Sequence, residues 1–204
     1  MKAPTPNCSL CQRLSDFRHK NQVKFPDKFN APVPSFGDLS AELLIVGLAP
    51  GLKGANFTGR PFTGDYAGDL LYATLLKFDY AHGDYQRHKD DGLVLKNCRI
   101  TNAVRCVPPE NKPSTSEINT CLEFLKQEIA AMTNLKTIVS LGLVSHNAVM
   151  KAFDHKISAF KFAHGARHKI DDGITLIDSY HCSRYNTQTN RLTTTMFEDI
   201  FRNL

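Results

Sequence analysis

The chain runs to 204 residues, 42% hydrophobic and 22% charged, which leaves one ordinary domain room for a sizeable core and excludes a disordered tail or solenoid array. Twenty-five Lys and Arg against twenty Asp and Glu leave a net charge of +5, a mild basic excess that suits a polyanionic partner without specifying one. No apolar run reaches the roughly 18–20 residues that cross a bilayer, and the opening MKAPTPNCSLCQRLSDFRHK lacks a signal peptide's apolar stretch of about 7–15 residues. An intracellular, cytoplasmic protein with no membrane association is expected, and six cysteines in such a reducing compartment point to thiols or metal ligands rather than a disulfide framework.

Residues 1–40 are polar, aromatic and proline-bearing, with a short helix expected at 9–20, and read as an arm packed onto a single domain spanning 1–204. Residues 43–47 form a continuous apolar run closed by Gly47, Ala49, Pro50 and Gly51, the pattern of a buried parallel strand entering a tight loop. That glycine-rich loop leads into a helix at 67–77, whose Leu70, Leu71, Thr74, Leu75 and Phe78 share one face. Residues 79–95, rich in Asp, His, Gly and Lys, read as a surface excursion before a second strand at 99–104. A helix follows at 116–132, with Ser114 or Ser116 as its N-cap and Glu117 in its first turn, where a negative charge suits the dipole. A third strand at 136–141, a helix opened by Gly142, a fourth strand at 174–179 and a terminal helix near 192–201 complete the chain. The alternation predicts an α/β fold: a three-layer sandwich with a mostly parallel, four-stranded central sheet flanked by helices on both faces.

Ligands of such sheets bind beyond the carboxyl ends of the strands, so the segments after each strand carry the candidate chemistry. The first holds six glycines between Gly47 and Gly68, yet it is no P-loop: after Gly54 and Gly59 come Arg60 and Pro61 where a Lys and a Ser or Thr would be needed. It also carries Phe62 and Asp65, which taken alone read as a core aromatic and a helix cap. Asn102 ends the second strand and His181 the fourth, so Asp65, Asn102 and His181 fall on one rim if the sheet is parallel. Cys8 and Cys11 form a C-x-x-C pair, while Cys106 and Cys121 frame a proline-rich segment; four thiolates suit zinc or a [4Fe–4S] cluster, and spacing alone puts zinc slightly ahead.

The runs GLAPG, GANFTGRPFTGD, TNAVRCVPPENKPSTSEINTC and HCSRYN followed by RLT, in this order from Cys8 to the C-terminal helix, resemble the iron–sulfur uracil-DNA glycosylases, most closely the broad-specificity family 5 group. The resemblance implies an enzyme that flips deaminated bases (uracil, hypoxanthine, xanthine) out of double- or single-stranded DNA and hydrolyses the N-glycosidic bond, leaving an abasic site. It implies that Phe62 stacks on the base, Asn102 reads its edge, His181 donates to its carbonyl and Asp65 is the catalytic carboxylate. Gly47 and Ala49 would line the base site, and Ser183, Arg184 and Asn186 would belong to the loop that enters the duplex. It makes Cys8, Cys11, Cys106 and Cys121 ligands of a [4Fe–4S] cluster in preference to zinc, tying the arm to the domain. Two positions depart from the family pattern: Cys182 stands where proline is common, and Phe57 where arginine is usual. A monomer is expected. The rival reading is a metal-stapled nucleic-acid-binding module without catalysis, which would need the basic surface and insertion loop but not the three rim residues together.

Overall fold

The structure, a computed structural model, describes residues 3–202 and 204. In chain order its strands are β1 (Leu43–Gly47), β2 (Ala81–His82), β3 (Val94–Leu95), β4 (Cys98–Asn102), β5 (Thr137–Leu141), β6 (Arg167–Asp171) and β7 (Ile174–Ser179). Its α-helices are α1 (Gln12–Lys24), α2 (Ala55–Thr58), α3 (Tyr66–Lys77), α4 (Thr115–Ala131), α5 (Leu143–Ala152), α6 (Arg184–Gln188) and α7 (Thr194–Phe201). The main sheet runs β4-β1-β5-β7-β6, parallel except for β6, and β2 pairs with β3 in a separate small ribbon.

The α/β sandwich expected from the sequence is present, with five strands in the sheet rather than four. All five residues of β1 are buried, because helices cover both of its faces. Leu43 and Ile45 point into the layer packed by α3 and α7, while Leu44 and Val46 point into the layer packed by α4 and α5. The fifth strand, β6, reads RHKID and has a single buried residue, Ile170, so it carries almost no hydrophobic alternation. It is an edge strand returning antiparallel from a turn in which Gly173 takes φ +75°, and its exposed basic side chains discourage further pairing.

Helix α4 is fixed at its start and its middle. Ser114 Oγ accepts from the Glu117 N–H at 3.2 Å, and Glu117 accepts from the Ser114 N–H at 2.7 Å, a reciprocal capping box. Arg13 of α1 also donates to Glu117, at 2.6 and 2.8 Å, so the same carboxylate fastens the arm to the domain. Further along, the fully buried Glu128 accepts from Arg99 at 2.6 Å, from Thr101 at 2.8 Å and from Arg105. Burial works against its ionisation, but Arg105, Ser35 and Arg99 hold its carboxyl below the ordinary range. Arg105 donates in turn to Ser35, and the Val33 N–H donates to the Arg105 carbonyl, so this one carboxylate organises α4, β4 and the end of the arm.

Registers pair Gly47 with Asn102 and Leu141 with Ser179, which brings the carboxyl ends of four strands to one level. Glu128→Ala, which leaves two buried guanidinium groups without their anion, should lower unfolding free energy by about 3–5 kcal/mol in urea denaturation; a loss below about 1 kcal/mol would contradict the role given to this carboxylate.

Candidate active site

Beyond those strand ends lies a cleft of about 300 Å³, lined by residues 48–51 and by Phe62, Asp65, Tyr66, Asn102, His181 and Arg184. Phe62 sits at φ +54°, a conformation that costs a residue with a Cβ about 1–3 kcal/mol. Its neighbours hold it there. Tyr72 donates to the Pro61 carbonyl at 2.6 Å, Tyr85 donates to the Phe62 carbonyl at 3.3 Å, and the Gly64 N–H donates to Tyr85 at 3.4 Å. Arg60 donates to Thr63 at 2.8 Å and forks onto the fully buried Asp91 at 2.7 Å through both terminal nitrogens. Asp91 also accepts from the Gln86 and Leu93 N–H groups, so the excursion expected on the surface at 79–95 delivers a buried carboxylate and Tyr85 to the loop that carries Phe62.

Asn102 is buried, and its Oδ1 has no hydrogen-bond partner among the described residues. The residue lines the cleft, and its unpartnered Oδ1 lies against Gly47. Gly47 makes this arrangement possible: a Cβ there would overlap both the Asn102 carboxamide and the Phe62 ring. Asp65 caps α3, accepting from the Gly68 N–H at 3.3 Å. Burial raises its carboxyl above the ordinary aspartate value, outweighing the hydrogen bonds from Gly68 and Ala67. Its carboxylate lies against Gly54, where any side chain would displace it.

The His181 ring lies nearly parallel to Phe62, with centroids 6.0 Å apart and planes at 29°. Burial pushes its imidazole down to about 4, so near neutral pH the ring is uncharged and carries a single N–H. Ser183 and Arg184 also line the cleft, Ser183 as the N-cap of α6 and Arg184 with its guanidinium 5.5 Å from the Tyr66 ring. Asn186, expected in the insertion loop, lies outside the cleft lining; its amide donates to the His181 carbonyl at 2.8 Å and steadies the turn that presents the imidazole. Ala49 lines the cleft and Gly47 stands behind it. Tyr66 and Asn111 also line it and were not singled out from sequence. Tyr66 reads as helix lead-in, and Asn111, with Glu110, takes a left-handed φ of 56° that periodicity does not reveal.

The two departures from the family pattern are absorbed by packing. Cys182 is fully buried and its thiol donates to the Ala67 carbonyl at 3.4 Å, locking the turn after His181. Phe57 packs on Phe25 of the arm with ring centroids 4.9 Å apart.

Cys8, Cys11, Cys106 and Cys121 line one small cavity between the arm and α4, whereas Cys98 and Cys182 lie in the core packed by α3 and α7. Arg18, buried behind them, has a terminal nitrogen 4.0 Å from Cys106 Sγ and an Nε without a partner among the described residues. Burial and the neighbouring sulfurs push the Cys106 thiol up to about 12, so it ionises near neutral pH only beside a positively charged centre. The donor set and its buried cation fit a thiolate-bound metal or cluster with residual negative charge.

An α/β sheet with this cleft at its strand ends is of the ligand-binding class. The chain belongs to the uracil-DNA glycosylase superfamily, whose model ("Uracil DNA glycosylase superfamily") matches residues 34–204. It is 39% identical over 198 residues to the type-5 uracil-DNA glycosylase of Thermus thermophilus, covering 95% of this chain and 90% of that one. The type-5 enzyme of Pyrobaculum aerophilum is 35% identical over 202 residues, 96% of this chain and 87% of its own. The type-4 enzyme of the same organism is 36% identical over 120 residues, 58% of this chain and 53% of its own, so the type-5 likeness is the one that runs nearly end to end.

If Tyr85 holds the Phe62 turn, Tyr85→Phe should leave the fold intact and speed amide exchange at Gly64 by about tenfold, the worth of one hydrogen bond. Unchanged protection there would contradict the brace.

Proposed function

We propose that this chain is a monofunctional DNA glycosylase that removes uracil, and with it hypoxanthine and xanthine, from double- and single-stranded DNA, leaving an abasic site. The observation that carries the reading is the unpartnered, buried Oδ1 of Asn102 beside the Phe62 ring. Deamination of cytosine or adenine turns an N/NH₂ edge into an N–H/C=O edge, which the carboxamide of Asn102 pairs with through its C=O and NH₂ in one orientation. This pairing is common to all three bases, which supports a range wider than uracil. The type-5 names of the relatives that match nearly end to end support the uracil reading.

Extracting a base costs about a few kcal/mol, and stacking on Phe62 returns about 1–3 kcal/mol without choosing among bases. Exposed Tyr185, with Arg184 beside it on α6, stands where it can fill the gap left in the duplex. As the glycosidic bond breaks, positive charge grows on the sugar and negative charge on the base. Asp65, capping α3 at the cleft, faces the first as a carboxylate and holds or deprotonates the attacking water. His181, neutral, donates its N–H to the base carbonyl, a contact that strengthens as that oxygen gains charge. Among the described residues, none lining the cleft is a lysine, which supports hydrolysis over Schiff-base chemistry and strand cleavage. It would act as a monomer in the cytoplasm of a prokaryotic cell, where it would meet its DNA.

Cys8, Cys11, Cys106 and Cys121 would hold a [4Fe–4S] cluster, with Arg18 balancing its charge. When bound, such a cluster supplies a covalent tie between the arm and the start of α4 rather than a reacting group. A module that merely bound DNA would need neither the buried carboxylate nor the open carboxamide.

Asp65→Asn should still bind uracil-containing duplex while its single-turnover uracil release falls by about 10²–10⁴-fold; unchanged release would remove the carboxylate from the mechanism. Because protonating Asp65 disables it, wild-type release should decline toward acid with a midpoint above 3.8, the ordinary aspartate value. A pH profile flat down to that value would contradict a raised pKa. Cys11→Ala should lose visible absorption and about 10 °C or more of melting temperature; a colourless variant that melts like wild type would count against a structural cluster.

A further inference from the structure

Three carboxylates in this fold are fully buried and ion-paired. Asp91 has Arg60, and Glu128 has Arg99 and Arg105. Asp178 on β7 has no arginine or lysine among the described residues, only two imidazoles and a hydroxyl. His146 Nδ1 on α5 stands 2.8 Å from Asp178 Oδ1, and His168 Nε2 on β6 stands 3.2 Å from Oδ2. Ser140 donates to Oδ1 at 2.8 Å.

The other nitrogen of His146, Nε2, lies 3.2 Å from the Phe160 carbonyl oxygen. Both ring nitrogens therefore face groups that only accept. A neutral imidazole has one N–H, so with Nε2–H on Phe160 the Nδ1 lone pair confronts a carboxylate oxygen. A cation lying between these donors would satisfy the Nδ1 lone pair and the carboxylate together.

We propose that His146, His168 and Asp178 form a metal site, separate from the cysteines, for a divalent transition ion of the zinc class. Two imidazoles and one carboxylate are a zinc donor set, and hard oxygen-seeking ions have no use for the imidazoles. A His with its far N–H on a backbone carbonyl and a carboxylate oriented by a hydroxyl are the outer contacts that metal-bound ligands make. The three donor atoms lie within 4.8 Å of one another. Tetrahedral zinc holds such donors about 3.4 Å apart, so on binding the 2.8 Å His146–Asp178 contact would open by about 0.6 Å and the wider donor pairs would draw in. His146 and Asp178 are buried, while His168 is partly exposed at the sheet edge and gives the ion a way in. Bound there, the ion would fasten β6 and α5 to β7 three residues before His181, outside the cleft.

The test is zinc binding by the metal-loaded protein, read by elemental analysis after equilibrium dialysis and by thermal melting. Wild type should take up one zinc per chain beyond the metal held by the cysteines, and its melting temperature should rise by about 5 °C. His168→Ala, and independently His146→Gln, should keep the cysteine-bound metal and lose both the extra zinc and the shift. Equal zinc uptake by wild type and both variants, or no extra zinc in wild type, would overturn the site.

Discussion

No side chain fits at position 47. The last residue of β1 sits under both the Asn102 carboxamide and the Phe62 ring, and a single methyl group would collide with each. Everything the cleft presents to a ligand depends on that missing atom. The parallel register levels Gly47 with Asn102, so the carboxamide stands at the end of its strand with its Oδ1 open. The loop leaving β1 then brings Phe62 back over the glycine in a left-handed turn, with Asp65 capping the next helix.

Buried charge maintains this geometry. The Arg60–Asp91 fork anchors the Phe62 turn to the excursion before β4, and Glu128 with Arg99 and Arg105 anchors β4, the strand that ends in Asn102, to α4. Buried ion pairs of this kind are poor net stabilisers compared with well-packed apolar groups, but each is costly to break from one side. Their use here is positional: each fixes a segment next to the cleft. At Asp65 and His181 burial acts on proton affinity instead, raising the carboxyl above the ordinary aspartate value and keeping the imidazole neutral near pH 7.

Much of this was legible in the residues, and the exceptions have physical reasons. The apolar run of β1 gave its span to the residue, because a strand covered on both faces carries an unbroken signal. Ser114 and Glu117 announced the start of α4 by spacing alone. The edge strand β6 escaped notice because solvent on one side lets it be RHKID, with Ile170 its one buried residue. Residues 79–95 read as solvated because Asp91 looks like any surface carboxylate until Arg60, 31 positions away, folds against it. Asn186 lies in α6 with its amide turned back on the His181 carbonyl, an orientation that the sequence does not carry. The four cysteines were separable from Cys98 and Cys182 by family pattern, and the cavity groups them in the same way.

If a bare Cα at position 47 is what lets Phe62 and Asn102 share one base, then Gly47→Ala is the direct test. Single-turnover release of uracil from duplex DNA should fall by about 100-fold, the cost of displacing a positioned group by roughly 1 Å, in protein whose melting temperature is within a few degrees of wild type. Release within about threefold of wild type from such a folded variant would mean that Phe62 and Asn102 are not held against each other as described, and the account of the cleft would fail.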